Sequence, residues 1–267
     1  MKKRILQIMS WLLLFTTLVV KPVMAQKPSV CSKEEWEVLK LTNQKRLNLG
    51  LEPLSTTKKL QKAAGIRVAE TESYFSHTRP DGTTTCFSVL AEQDIFYRSV
   101  AENIAAGQSS AEQVINSWWN SPGHKQNMMN ASLTHLGVGY SQDTNGYFRH
   151  YWVQLFVGGC QFESLSVKGG TDLSVKKGST ISDMDLYLVA DCKWHGNSYV
   201  PISDKMCSGY NKNKTGKQTV TVSYQKLKTT FTVTVTGTGE TTSDQNTQKK
   251  AVCLKWKKVA NADGYVI

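Results

Sequence analysis

Proline, cysteine and long apolar runs are all scarce in this sequence, and each shortage excludes something. Six prolines against 19 glycines in 267 residues rule out collagen-like and low-complexity architectures. Six cysteines are far too few for a disulfide miniprotein, so any bridge supplements a core instead of replacing one. Apolar runs are too short for a polytopic membrane protein, yet 40% hydrophobic residues are too many for a disordered chain. The HExxH, Gly-x-Ser-x-Gly, Walker and CxxC patterns are missing, and Ser76 and Ser121 have no visible Ser–His–Asp context.

What is present begins with charge. The net charge of +11 invites a nucleic-acid reading until it is apportioned. Residues 26–163 carry 13 basic and 13 acidic side chains, whereas residues 164–267 carry 15 lysines and 8 acids. The surplus lies on Ser/Thr-rich sequence and not on one recognition element, so no nucleic-acid partner is expected and the lysines read as solvated strand faces. Contact with an anionic cell-surface polymer is the minority reading.

The order of segments suggests export and several domains. Lys2-Lys3-Arg4, an apolar run from Ile5 to Val20 and Val23-Met24-Ala25 before Gln26 make a signal peptide over residues 1–25, cleaved between Ala25 and Gln26. A capping box at Ser32–Glu35 starts a helix whose face is Trp36, Leu39, Asn43 and Leu47, ended by Gly50. A second helix is expected from about Thr56 to Tyr74, and a third from a capping box at Ser109–Glu112 until Ser121-Pro122-Gly123. Strands are expected at Gly137–Tyr140 and Tyr151–Val157. Beyond residue 163 the apolar period becomes two, with Leu165/Val167, Leu173/Val175, Leu186–Ala190, Val220/Val222/Tyr224 and Phe231/Val233/Val235, which predicts a small β-sandwich over 164–236. Residues 237–250 read as a flexible linker, and 251–267 as the truncated start of a further β module.

Four of five histidines fall between positions 77 and 150, among turn formers and small residues. His77 lies in Ser76–Gly82 (SHTRPDG), Glu102 in Ala101–Ala105 (AENIA), His124 in WWNSPGHKQN and His150 in HYWVQLF. In this order, with Gly137–Tyr140, the segments resemble the CAP superfamily (cysteine-rich secretory, antigen 5 and pathogenesis-related proteins) in its bacterial SCP-domain branch, over roughly residues 31–163. The resemblance implies an α+β fold, a three-layer α/β/α sandwich, with a cleft lined by His77, Glu102 and His150. The family's eukaryotic pattern has a second glutamate after the third-helix tryptophan; Trp119, Asn120 and Ser121 stand there, and His124 is taken to fill the polar role. Residues 214–235 resemble a bacterial immunoglobulin-like domain, and 254–265 the opening of a fibronectin type III-like repeat.

These residues allow three functions. The first is a secreted protein whose cleft binds an extracellular lipid, peptide or cell-wall fragment, displayed by the immunoglobulin-like module, with no cofactor required. The second is a hydrolase with zinc on His77 and His150, Glu102 serving as orienting group or base, although catalytic zinc ordinarily takes three protein ligands. The third is a cell-surface adhesin with a non-catalytic CAP domain. Among the cysteines, Cys192 and Cys207 are expected to close a loop of about 15 residues. Cys31–Cys160 and Cys86–Cys160 stand as open alternatives, and Cys253 lies in the truncated end.

Overall fold

The computed structural model describes residues 27–169 and 173–237, so the signal peptide with its Ala25/Gln26 site, nearly all of the linker, and the terminal β segment with Cys253 lie outside the described residues. The first domain comprises α1 (Lys33–Asn48), α2 (Lys58–Ser73), α3 (Ser88–Glu92), β1 (Ser99–Ala106), α4 (Ala111–Trp119), α5 (Pro122–Met128), β2 (Leu133–Gln142) and β3 (His150–Gly158). Ser32 and Glu35 form the capping box expected for α1. In α4 the cap is one residue later than expected: the Ser110 hydroxyl takes the Gln113 amide at 3.3 Å, and the Gln113 side chain takes the Ser109 amide at 2.9 Å. Gln113, not Glu112, is the N3 residue, and its side chain reaches past the cap to Ser109, so the expected capping box is replaced by a simple Ser110 cap. Ser121-Pro122-Gly123 does end α4, but Pro122 at once opens α5, where a missing amide hydrogen is no loss.

The sheet is antiparallel with β3 at its centre, in the order β1-β3-β2. Strand alternation divides β3 between two cores. Trp152 and Phe156 pack with α1 and α4 through Trp36, Leu39, Ile115 and Trp118, whereas Tyr151, Val153, Leu155 and Val157 pack with α2 and α3 through Leu60, Ala64, Val68 and Leu90. The three-layer α/β/α arrangement is thus present. Gly137 on β2 lets α2 lie close: a Cβ there would stand 2.5 Å from the Leu60 carbonyl oxygen. Strand β1 was not foreseen, because small residues around Glu102 and Asn103 hide its alternation.

The second domain is a two-sheet sandwich. One sheet runs β4 (Phe162–Lys168), β6 (Tyr187–Cys192), β7 (Gly196–Pro201); the other runs β5 (Leu173–Lys176), β10 (Leu227–Thr236), β9 (Gly216–Tyr224), β8 (Cys207–Ser208). Leu188, Ala190, Val200, Val220, Val222 and Val233 fill its core. Strand β4 begins at Phe162, before the residue-164 boundary drawn from sequence.

The domains are joined by more than their covalent link. Ser55 and Thr56, just ahead of α2, bond β2 on one side (Ser55 N to Thr134 O, 3.0 Å; Leu136 N to Ser55 O, 2.8 Å) and β7 on the other (Thr56 N to Tyr199 O, 2.9 Å; Tyr199 N to Thr56 O, 2.8 Å). Trp36 meets Tyr187 edge-on at 6.2 Å, and Leu47 of α1 packs against the sandwich core. The disulfide is Cys160–Cys192, with Cα atoms 6.2 Å apart. This overturns the expected Cys192–Cys207 pair and both alternatives for Cys160. Cys192 ends β6 facing the joint, while Cys207 lies in the other sheet, and Cys31 and Cys86 are buried in the first domain. The bridge ties the short link between β3 and β4 to the end of β6, where Cys192 pairs with Phe162, a contact set by strand pairing and not by a short loop.

Candidate functional site

The site is built around Glu102. On β1 it stands opposite Leu155 and so projects to the α2 side of the sheet, where only 5% of it is exposed. Arg67 of α2, wholly buried, donates from Nε to Glu102 at 2.8 Å and also bonds Glu70 and, at 2.9 Å, the Ser76 carbonyl. His77 Nδ1 lies 2.8 Å from the other carboxylate oxygen. Burial alone would raise the Glu102 pKa, but the hydrogen bonds from His77 and Arg67, with the Arg67 charge, outweigh it and hold the group below its ordinary value. An ionised carboxylate only accepts, so His77 carries its proton on Nδ1 and leaves Nε2 free toward an open pocket. That pocket is about 390 Å³ and is lined by His77, Thr85, Cys86, Phe87, Glu102 and Asn127, among others.

The remaining residues of SHTRPDG hold His77 in place. Arg79 ties to Glu70, Glu92 and Ser88, extending the Arg67–Glu70 ion pairs. Asp81 accepts from the Thr83 and Thr84 amides at 2.8 and 2.7 Å, and Gly82 takes the left-handed turn at φ +72°. His77 is the exception in this well-bonded loop, with 58% of its side chain exposed.

His124 stands on α5, outside the residues that line the pocket. Partial burial lowers its pKa first, and the nearby His77 lowers it further. The helix is fixed over β1 by Asn127, whose Nδ2 donates to the Glu102 carbonyl at 3.2 Å and to Asn103 Oδ1 at 2.9 Å. Asn103 points to the opposite face, donating to Gln154 Oε1 at 2.9 Å, and Gln154 donates to Thr42 at 2.9 Å. The Asn of AENIA and the Gln of YWVQLF are thus parts of a buried polar tie between layers. Sequence reasoning passed over Arg67, Asn103, Asn127 and Gln154, although polar residues set within apolar runs were the available signal.

His150 does not belong to this site. It pairs with Gln142 at the start of β3, five residues before Leu155, roughly 17 Å along a strand. Alternation sends it to the α1/α4 side, where Nδ1 meets the Tyr140 hydroxyl at 3.0 Å. Tyr151, one residue on, faces the Glu102 side. The expected zinc pair of His77 and His150 is therefore not assembled: the two side chains leave opposite faces of the sheet. Nor is a nucleophile evident among the described residues. The Ser76 hydroxyl is engaged by Thr78, and burial first, then Glu102, pushes the Cys86 thiol up to about 12.

Comparison with known proteins agrees with this architecture. Residues 39–156 match the cysteine-rich secretory protein family, CAP, and residues 177–235 match the bacterial Ig-like domain, group 3. The chain carries a CAP domain followed by a bacterial Ig-like domain. The CAP-bearing half is 36% identical over 133 residues to the uncharacterized protein YkwD of Bacillus subtilis (strain 168), covering 49% of each chain. It is 30% identical over 146 residues to the uncharacterized membrane protein YlbC of that organism, covering 49% of this chain and 39% of the relative. This chain thus matches about half or less of the length of these curated relatives. A solved extracellular protein containing a SCP domain from Bacillus anthracis str. Ames is similar at 26% identity and a TM-score of 0.42, over 47% of this chain and 40% of that one. Among the described residues no helix is long and apolar enough to cross a membrane.

Proposed function

We propose that this is an exported protein whose CAP domain binds an extracellular ligand in the His77–Glu102 pocket, with the Ig-like domain as its rigid mount. The observation that carries this reading is the Glu102 carboxylate, buried and paired with Arg67, spending its second oxygen on His77 Nδ1. Such a partner fixes the tautomer and orientation of an imidazole whose other nitrogen is offered outward. Phe75, two residues before His77, lies 6.2 Å from Phe148, and Tyr147 meets Phe148 at 4.9 Å, all three exposed. Aromatic faces next to a hydrogen-bonding imidazole suit a sugar ring or an apolar chain that carries a polar group, consistent with a cell-wall fragment, a lipid or a peptide.

The same dyad favours a second reading, hydrolysis of a bound ester or amide with His77 Nε2 as general base toward water. One experiment separates them. Saturation-transfer NMR against soluble cell-wall fragments, a medium-chain fatty acid and a mixed peptide digest is expected to show contact with one class, lost in His77→Ala. Ligand recovered intact after prolonged incubation supports binding, and turnover that disappears in His77→Ala supports hydrolysis. Unchanged contact in His77→Ala and Phe148→Ala would overturn the pocket assignment, and retention on cells without any pocket ligand would favour the adhesin.

A further inference from the structure

A second cluster of donor atoms lies at the joint between the domains. The ligand atoms of His135, Cys192 and His195 all lie within 4.8 Å of one another. His135 comes from β2 of the CAP domain, and the other two come from the turn between β6 and β7 of the Ig-like domain. The two rings meet edge-on, with centroids 4.9 Å apart. Cys160, bonded to Cys192 Sγ, places a second sulfur beside them.

Three features distinguish this cluster from chance proximity. Cys192-Lys193-Trp194-His195 is a two-residue spacer closed by the His195 amide donating to the Cys192 carbonyl at 3.1 Å, the kind of spacing from which zinc takes two ligands in one turn. His195 Nε2 donates to the Phe96 carbonyl at 2.8 Å, so its proton is fixed there and Nδ1 is a bare lone pair, as the carbonyl partner of a metal-binding histidine arranges. His135 is wholly buried between hydroxyls, Thr134 on Nδ1 at 2.9 Å and Ser198 on Nε2 at 3.0 Å. Ser198 also donates to the Gly196 carbonyl at 3.3 Å, so Nε2 carries the proton, Nδ1 holds the lone pair, and the Thr134 hydroxyl is the partner that a metal would replace.

We propose that the Cys160–Cys192 disulfide and a Zn2+ ion are alternative occupants of this node, so that reduction turns the staple into a Cys2His2 metal site formed by His135, Cys160, Cys192 and His195. A dithiol reductant supplies two electrons and two protons, leaving as a cyclic disulfide while Cys160 and Cys192 become thiols. Binding of Zn2+ then releases two protons from those thiols and none from the neutral imidazoles. Two thiolates cancel the charge of the ion, which suits a buried position, and sulfur with imidazole selects zinc over calcium or magnesium. Oxidised, the two sulfurs are bonded to each other; reduced, the ion would in addition tie His135 of β2 to the β6–β7 turn of the Ig-like domain.

The test uses the full chain and Co2+ as a spectroscopic stand-in for Zn2+. Reduced by a phosphine, the protein is expected to take up one equivalent of Co2+ with tetrahedral absorption and thiolate charge-transfer bands, bleached by Zn2+; the oxidised protein should show neither. Cys192→Ser should abolish the charge-transfer bands, and His195→Ala should weaken uptake roughly tenfold or more. Cys207→Ser, at the half-buried free thiol of β8, should leave the Co2+ spectrum and uptake unchanged. Zn2+ should also raise the Tm of the reduced protein and leave that of the oxidised protein alone. Absence of the tetrahedral spectrum in the reduced wild type overturns the proposal, as does its full retention in His195→Ala; if Cys192→Ser does not fold, the His195→Ala comparison decides alone.

Discussion

The Glu102 pocket and the His135 node are both organised around histidine, on the two outer strands β1 and β2 of one small sheet, and they solve opposite problems. The pocket gathers charge: Arg67, Glu70, Arg79 and Glu102 neutralise one another, and His77 is the member left to solvent. The node excludes charge: His135 and His195 are held neutral by burial, with hydroxyl, carbonyl and sulfur neighbours. A charged network tolerates an opening because each member has a partner, whereas a neutral one must stay closed because its protonation would leave a charge unpaired.

Breaking a pair in the pocket should cost most. Glu102→Ala strands the buried Arg67 guanidinium, and we expect a loss of about 3–5 kcal/mol by urea denaturation, with a smaller loss for Glu102→Gln, which still accepts hydrogen bonds. Removing the bridge comes next. Cys160→Ser under oxidising, metal-free conditions should cost about 3–4 kcal/mol, as expected for a cross-link across 32 residues. A cost below about 1 kcal/mol would mean that the Ser55–Thr56 bonds and the apolar contacts alone hold the joint.

Acid should separate the two regions by the order in which they fail. The His135 pKa falls to about 3 in the folded chain, so its contribution is complete above the unfolded value near 6.5 and declines by about 1.4 kcal/mol per pH unit from there down to the folded value. His195 and His124 act in the same direction. The Glu102 contribution is present above the ordinary carboxylate range and is lost only as pH falls through its lowered value. Protection factors for hydrogen exchange at Ser198 and Tyr199 should therefore fall between pH 6 and 4, before that at Glu102, and His135→Gln should remove the early fall. Smallest of all, His77→Ala should move stability by less than about 1 kcal/mol, because its ring is largely exposed, while removing ligand contact.

Much of the pocket was legible because its residues sit in short segments with local jobs. In Ser76–Gly82 the turn formers and the functional histidine share seven positions, and the resemblance placed Glu102 beside them. His150 shows the limit of such reading: at a period of two, one residue decides the face of a strand, and only the paired register reveals it. The Ig-like strands were visible as alternation because each buries one side. The joint was hidden for a different reason. His135, Cys160 and Cys192 lie in three segments with no motif between them, and their meeting depends on how Ser55 and Thr56 bring β7 alongside β2, a contact between segments more than a hundred residues apart.

That two-sided stitch at Ser55 and Thr56 also determines how load travels. Tension applied through the C-terminal half passes from β7 across four backbone hydrogen bonds into β2, and from there to the sheet that carries Glu102. The Cys160–Cys192 bond anchors the end of the short β3–β4 link to β6. A tether on the far side of the sandwich would thus pull on the frame of the pocket, and would not leave the CAP domain swinging from a slack hinge.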